Sequence, residues 1–155
     1  MSEPSPHLPA FSVRPHLSHP SEPISIWFTE PLGLLTQITR PATGSVEMAR
    51  FVIDLAWPAL LEVRGSGREP LHMVHELSLL EDMDPEAGRL MTMFGLSARR
   101  NIARIVVVEP PTLPRIVHHA INAVGTAMGL IGIPMELMPT LREVVDRYGY
   151  RAREA

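Results

Sequence analysis

The chain has 155 residues, 45% of them hydrophobic, with 17 acidic against 14 basic side chains and a formal net charge of -3. That length and apolar content suit one packed domain, and the weak acidity, with basic residues that are all arginine and scattered, argues against a nucleic-acid partner. Cysteine is absent, which excludes disulfides and thiolate chemistry and leaves the cytoplasm as the expected compartment.

From Met1 to Pro23 proline, serine and histidine dominate and neither apolar period is present, so the segment reads as a disordered tail. Its prolines are too widely spaced for a PxxP ligand, and His7, His16 and His19 read as solvated. The start lacks a basic region followed by an apolar one. The apolar stretch from Ala120 to Met135 is broken by Asn122, Thr126, three glycines and Pro134. Neither secretion nor membrane insertion is expected.

The ordered domain is expected over residues 24–150, with 151–155 as a short C-terminal tail. Ile24, Ile26 and Phe28 alternate with Ser25, Trp27 and Thr29, and after Pro31-Leu32-Gly33 a second alternation runs to Thr39, which predicts a β-hairpin. Thr43 or Ser45 can cap a helix whose apolar positions Val46, Ala49, Ile53, Ala56, Trp57 and Leu60 recur every three or four residues, and Pro58 should kink or end it. A strand follows near Leu71 to Leu77. Asp84-Pro85 then sets an N-cap Asp ahead of a proline at the first helical position, opening a helix to about Ser97.

Ile102 to Val108 is a short β-branched run, the pattern of a central strand buried on both faces. Thr112 can cap a third helix with Val117, Ile121, Val124, Met128 and Ile131 on one face. Ile133 to Leu137 reads as a last strand, and Thr140 with Glu143 makes a capping box for a closing helix. The order β-β-α-β-α-β-α-β-α implies an α/β fold, a mostly parallel mixed sheet with an N-terminal hairpin and about four helices.

This order, and the segment Glu76-Leu77-Ser78-Leu79-Leu80-Glu81-Asp82-Met83-Asp84-Pro85-Glu86-Ala87, resemble the STAS domain, the fold of the anti-sigma-factor antagonists, related in shape to the lipid-carrying sheets of the Sec14 type. Ile105 to Val108 followed by prolines, and Gly132-Ile133-Pro134 before a short strand, support the resemblance, which spans Ile24 to about Tyr148. It sets Asp84 on the family's turn Asp, Pro85 on a variable position, Glu86 on the Ser that is phosphorylated in switching members, and Ala87 on the Gly. Glu86 cannot be phosphorylated, yet its carboxylate carries about one permanent unit of the charge a phosphate would bring. Asp-Pro-Glu is also an ordinary helix opening, because acids in the first turn are favoured by the macrodipole.

The remaining constellations are weaker. His72 and His75, three apart on a strand, point to opposite faces and cannot share an ion. His118 and His119 diverge by about 100° on a helix. Glu81, Asp82, Asp84 and Glu86 form an acidic loop that reads as solvated. Gly-Ser-Gly at 65–67 is too short for a phosphate cradle, so no catalytic residue, cofactor or metal is expected. Gly125 and Gly129 permit a close backbone approach, by the chain's own sheet or by a second copy in a homodimer. Nine methionines can fill core gaps or line an adaptable pocket. The leading expectation is a non-enzymatic, STAS-like regulatory module that docks an unidentified protein through Asp82, Asp84, Glu86 and Arg89. The alternative is a carrier of an apolar small molecule or lipid in a Met-lined pocket between helices and sheet, and an enzyme is third.

Overall fold

A computed structural model describes residues 9–154. Seven strands form one mixed sheet in the order β1-β2-β3-β5-β7-β8, with β9 also on β2. The hairpin consists of β2 (Ile24–Glu30) and β3 (Gly33–Ile38), paired antiparallel from Ile24–Ile38 to Thr29–Gly33. From β3 the sheet continues in parallel through β5 (Leu71–Glu76), β7 (Ile102–Val108) and β8 (Met135–Met138). A separate two-stranded ladder joins β4 (Ala42–Gly44) to β6 (Leu80–Met83). Neither strand is long enough to show a period in the sequence.

The crossover after β3 is α1 (Val46–Arg50), a π-helical stretch (Phe51–Ala56) and α2 (Trp57–Arg64), which follow one another on helical backbone. Pro58 neither ends nor breaks this run. The wider π turn just ahead of it, in which Trp57 N–H reaches Val52 O, accommodates the missing N–H and the ring. Ser45, not Thr43, caps the helix, its Oγ accepting from Met48 N at 3.2 Å. The next crossovers are α3 (Pro85–Ala98) and α4 (Arg115–Leu130), and α5 (Leu141–Tyr148) follows β8. α4 starts after Pro114 rather than at a Thr112 cap. Residues 110–113 form a turn that buries Leu113 instead.

The period of two in each strand sorts the sheet's side chains into two cores. On one face Ile26, Phe28, Leu34, Ile38, Met73, Ile105 and Val107 meet α1 to α4, where Val117, Ile121 and Met128 of α4 are buried as expected and Val124 is half-buried. On the other face Trp27, Leu35, Val74, Val106 and Val108 meet Leu141 and Val144 of α5, together with Tyr150 and Phe11. Where β3 crosses β5 the backbones come so close that a Cβ on Gly33 would lie 2.0 Å from His72 O, so glycine is required there.

Two boundaries are corrected. The disordered tail read from Met1 to Pro23 does not describe residues 9–23, and its first eight residues lie outside the described ones. A 3₁₀ turn (Pro9–Phe11) buries Phe11 edge-on against Trp27, and β1 (Leu17–Ser18) pairs antiparallel with β2. Val13 O accepts from Trp27 Nε1 at 2.9 Å, and His16 Nδ1 accepts from Phe28 N at 3.0 Å. A segment without a period is thus ordered by isolated anchors along a sheet edge. The C-terminal tail is likewise partly ordered. β9 (Arg151–Ala152) pairs with Thr29 and Glu30 of β2, and Ala152 is buried.

Candidate functional site

Asp84, Glu86 and Arg89 come together at the start of α3, and Asp82 precedes them on β6. Asp84 is the N-cap, its Oδ1 accepting from Glu86 N at 2.9 Å. Glu86 faces solvent and receives two bonds from Arg89, from Nε at 2.8 Å and from NH2 at 2.7 Å. The Arg89 hydrogen bonds hold the Glu86 carboxyl below its ordinary range, and the more distant Arg50 adds to the effect. Asp82 is exposed, and its Oδ1 accepts from the adjacent Met83 N at 2.8 Å. This loop is therefore hydrogen-bonded within itself, and Arg89 offsets the Glu86 charge.

The inner side of the same helix start is apolar. Ala87, Gly88, Met91, Phe94 and Gly95 of α3 form one wall of an apolar pocket of about 130 Å³ that is partly open to solvent. Met48, Ala49 and Val52 form a second wall, Ile121, Val124 and Met128 of α4 a third, and the floor is laid by Thr36, His75, Leu77 and Val107. The cavity sits toward the carboxyl ends of the parallel strands, where open α/β sheets hold ligands. Six of the nine methionines line it: Met48, Met73, Met83, Met91, Met128 and Met135. They come from six separate elements, so no local motif announces them. Gly95 makes room for one of them, because a Cβ there would lie 2.5 Å from Met128 Cε. On α3 and α4 the glycine that packs tightly is thus Gly95. Gly129, read from the sequence as a close-approach position, has open space where its Cβ would be.

Only Thr36, Ser45 and His75 bring polar side chains to this wall, and no charged residue does. Ser45 Oγ is used at both ends, by Met48 N and by Glu22 Oε1 at 2.9 Å. His75 is buried, with Nδ1 2.7 Å from Thr36 Oγ1. Burial pushes the His75 imidazole down to about 4, so the ring is neutral at pH 7. His72 lies on the other face with Nδ1 2.7 Å from Tyr150 Oη, so the two histidines do face opposite ways. His118 Nδ1 lies 2.9 Å from Glu109 Oε2, and His119 is exposed.

His75 gives a pH dependence of defined sign. In the unfolded chain its pKa returns to about 6.5, so between pH 6.5 and 4 the unfolded state binds the extra proton. The stability held by the neutral ring is complete above that window and is lost as pH falls through it, by about 3 kcal/mol in all. Urea unfolding at pH 7.0 and 4.5 checks this, with His75→Gln as the variant in which that share of the slope is gone.

No family model and no curated protein matches the chain. Among solved structures, an uncharacterised protein of the DUF3478 family with a SpoIIAA-like fold, from Shewanella loihica PV-4, is similar with a TM-score of 0.53. The identity is 12%, over 80% of this chain and 90% of that one. The likeness shows the fold: this chain has a SpoIIAA-like, and so STAS-like, α/β fold.

Proposed function

We propose that this SpoIIAA-like chain is a binding domain for a small apolar molecule, which it takes into the methionine-lined cavity under α3 without covalent chemistry. The observation that carries this reading is the pocket itself: about 130 Å³ of apolar concave space lies between the helices and the sheet, lined by six deformable thioethers and by no charged side chain. Toluene is a suitable probe. Titrated into protein with ¹³C-labelled methionine methyls, it moves the signals of Met48, Met91 and Met128 saturably and leaves the exposed Met93 still. The variant Gly88→Leu, whose side chain enters open space beside the cavity, stays folded and loses those shifts. Equal movement at Met93, or none anywhere in the wild type, contradicts the reading.

A second reading, docking of a protein through Asp82, Asp84, Glu86 and Arg89, is favoured by one observation. The first turn of α3 presents Glu86 and Arg89 outward, behind Asp82 on β6 and the N-cap Asp84, and pocket-lining Ala87, Gly88 and Met91 inward, so one short helix start serves both surfaces. Under this reading stability and binding separate. Asp84→Ala removes the cap and costs about 0.5–2 kcal/mol, read by chemical denaturation. Glu86→Arg leaves the midpoint in place and weakens capture of a partner by reversing the local charge. Equal capture by wild type and Glu86→Arg at matched salt removes this surface from the account.

A further inference from the structure

We infer that the cavity selects a compact neutral molecule bearing one hydroxyl, of the phenol class, with the hydroxyl hydrogen-bonded to His75 Nε2 and the ring among the methionines. This rests on the cavity being a ligand site, and it adds the ligand's size, charge and polar group.

Size comes first. A volume of about 130 Å³ is close to the roughly 150 Å³ in which an apolar protein cavity takes up benzene. That volume matches a single ring. Charge comes next. The wall contains no arginine, the chain contains no lysine, and the nearest ionisable wall group is a buried histidine. A carboxylate entering this space loses its hydration with no cation to offset the loss, so fatty or aromatic acids are rejected.

The polar group follows from the histidine. Thr36 occupies Nδ1, and Ser45 is engaged elsewhere. Among the described residues no hydrogen bond engages Nε2 of His75, and although the residue is buried that atom is not one of the sealed, unpartnered polar atoms, so it stays accessible where His75 forms part of the wall. A neutral imidazole presents Nε2 as donor or as acceptor according to which way the Thr36 bond runs. A hydroxyl serves either tautomer, because it both donates and accepts, whereas a carbonyl or an amine hydrogen serves one. A ring without a polar group leaves Nε2 unsatisfied in an apolar wall.

Four probes at pH 7, toluene, phenol, benzoate and decanoate, test this by the same methionine-methyl titration. Wild type binds toluene and phenol and is unmoved by benzoate and decanoate. In His75→Phe the preference for phenol over toluene falls about tenfold, because the hydroxyl is then buried without a partner. In the wild type itself the ¹⁵N signal of His75 Nε2 shifts on phenol and stays put on toluene, a measurement that needs no variant to fold. Three results overturn the assignment while leaving the cavity as a ligand site: an unchanged phenol-to-toluene ratio in His75→Phe, a silent Nε2 on phenol, or tighter binding of decanoate or benzoate than of phenol. Absence of any response to toluene or phenol overturns the cavity reading and this inference with it.

Discussion

Ile121→Asp leaves no folded, soluble protein. Ile121 is buried on α4 at the centre of the larger core, one turn from Val117 and two from Met128, both also buried. An aspartate there has no arginine within the apolar wall to pair with, and burying an unpaired carboxylate exceeds the 4–5 kcal/mol that marks the severe end of single substitutions. Against a total stability of about 5–15 kcal/mol that is decisive. Ile121→Val, which removes one methyl and introduces no charge, costs about 0.5–1.5 kcal/mol. Circular dichroism and solubility of the two variants side by side measure the contrast. A soluble, helical Ile121→Asp protein would mean that this face of α4 is not packed inside the chain.

Deletion of residues 1–20 lowers the thermal midpoint by about 10 °C. The segment lacks any apolar period, yet Phe11 is 2% exposed and lies against Trp27. Losing a buried phenylalanine costs about 3 kcal/mol or more. The deletion also leaves Trp27 Nε1 without its acceptor Val13 O, and Phe28 N without His16 Nδ1. Each such loss adds about 1 kcal/mol, and for a chain of this length each kcal/mol moves the midpoint by about 2–4 °C. Differential scanning calorimetry of the truncated and full chains checks this, with Phe11→Ala expected to recover more than half of the drop. An unchanged midpoint would return the segment to the status of a solvated tail.

These two cases mark what a single sequence discloses. Elements with a repeating pattern were legible: the alternation on β2 and β3, the buried run of β7, and the apolar face of α4. Helix starts with their own chemistry were legible too, since Asp84 and Thr140 cap the helices that their positions predict. The opposed directions of His72 and His75 follow from strand parity alone. What was not legible depends on partners far away in the chain. Phe11 is ordered by Trp27, Ala152 by Thr29, and Ala42–Gly44 by Leu80–Met83. None of these segments has enough residues to carry a period.

The candidate site divides in the same way. Asp84, Glu86 and Arg89 could be placed at one helix start because they are close in sequence, and the geometry adds that they bond to one another. A methionine-lined pocket could be named from the sequence, but its walls come from α1, the π-helical stretch, α3, α4 and seven strands. Its one polar opportunity, His75, needed the Thr36 contact from a neighbouring strand before it could be understood. Ser45, Gly88 and Gly95 belong to the site for similar reasons, and no local signal marks them.

A crystal structure of the chain grown with toluene decides whether the methionine pocket is a ligand site: density is expected for one ring among Met48, Met91, Phe94 and Met128, with α3 and α4 in place and the surface unoccupied. Methionine side chains folded inward to fill the space, with toluene absent or bound only at the surface, would contradict a ligand site there.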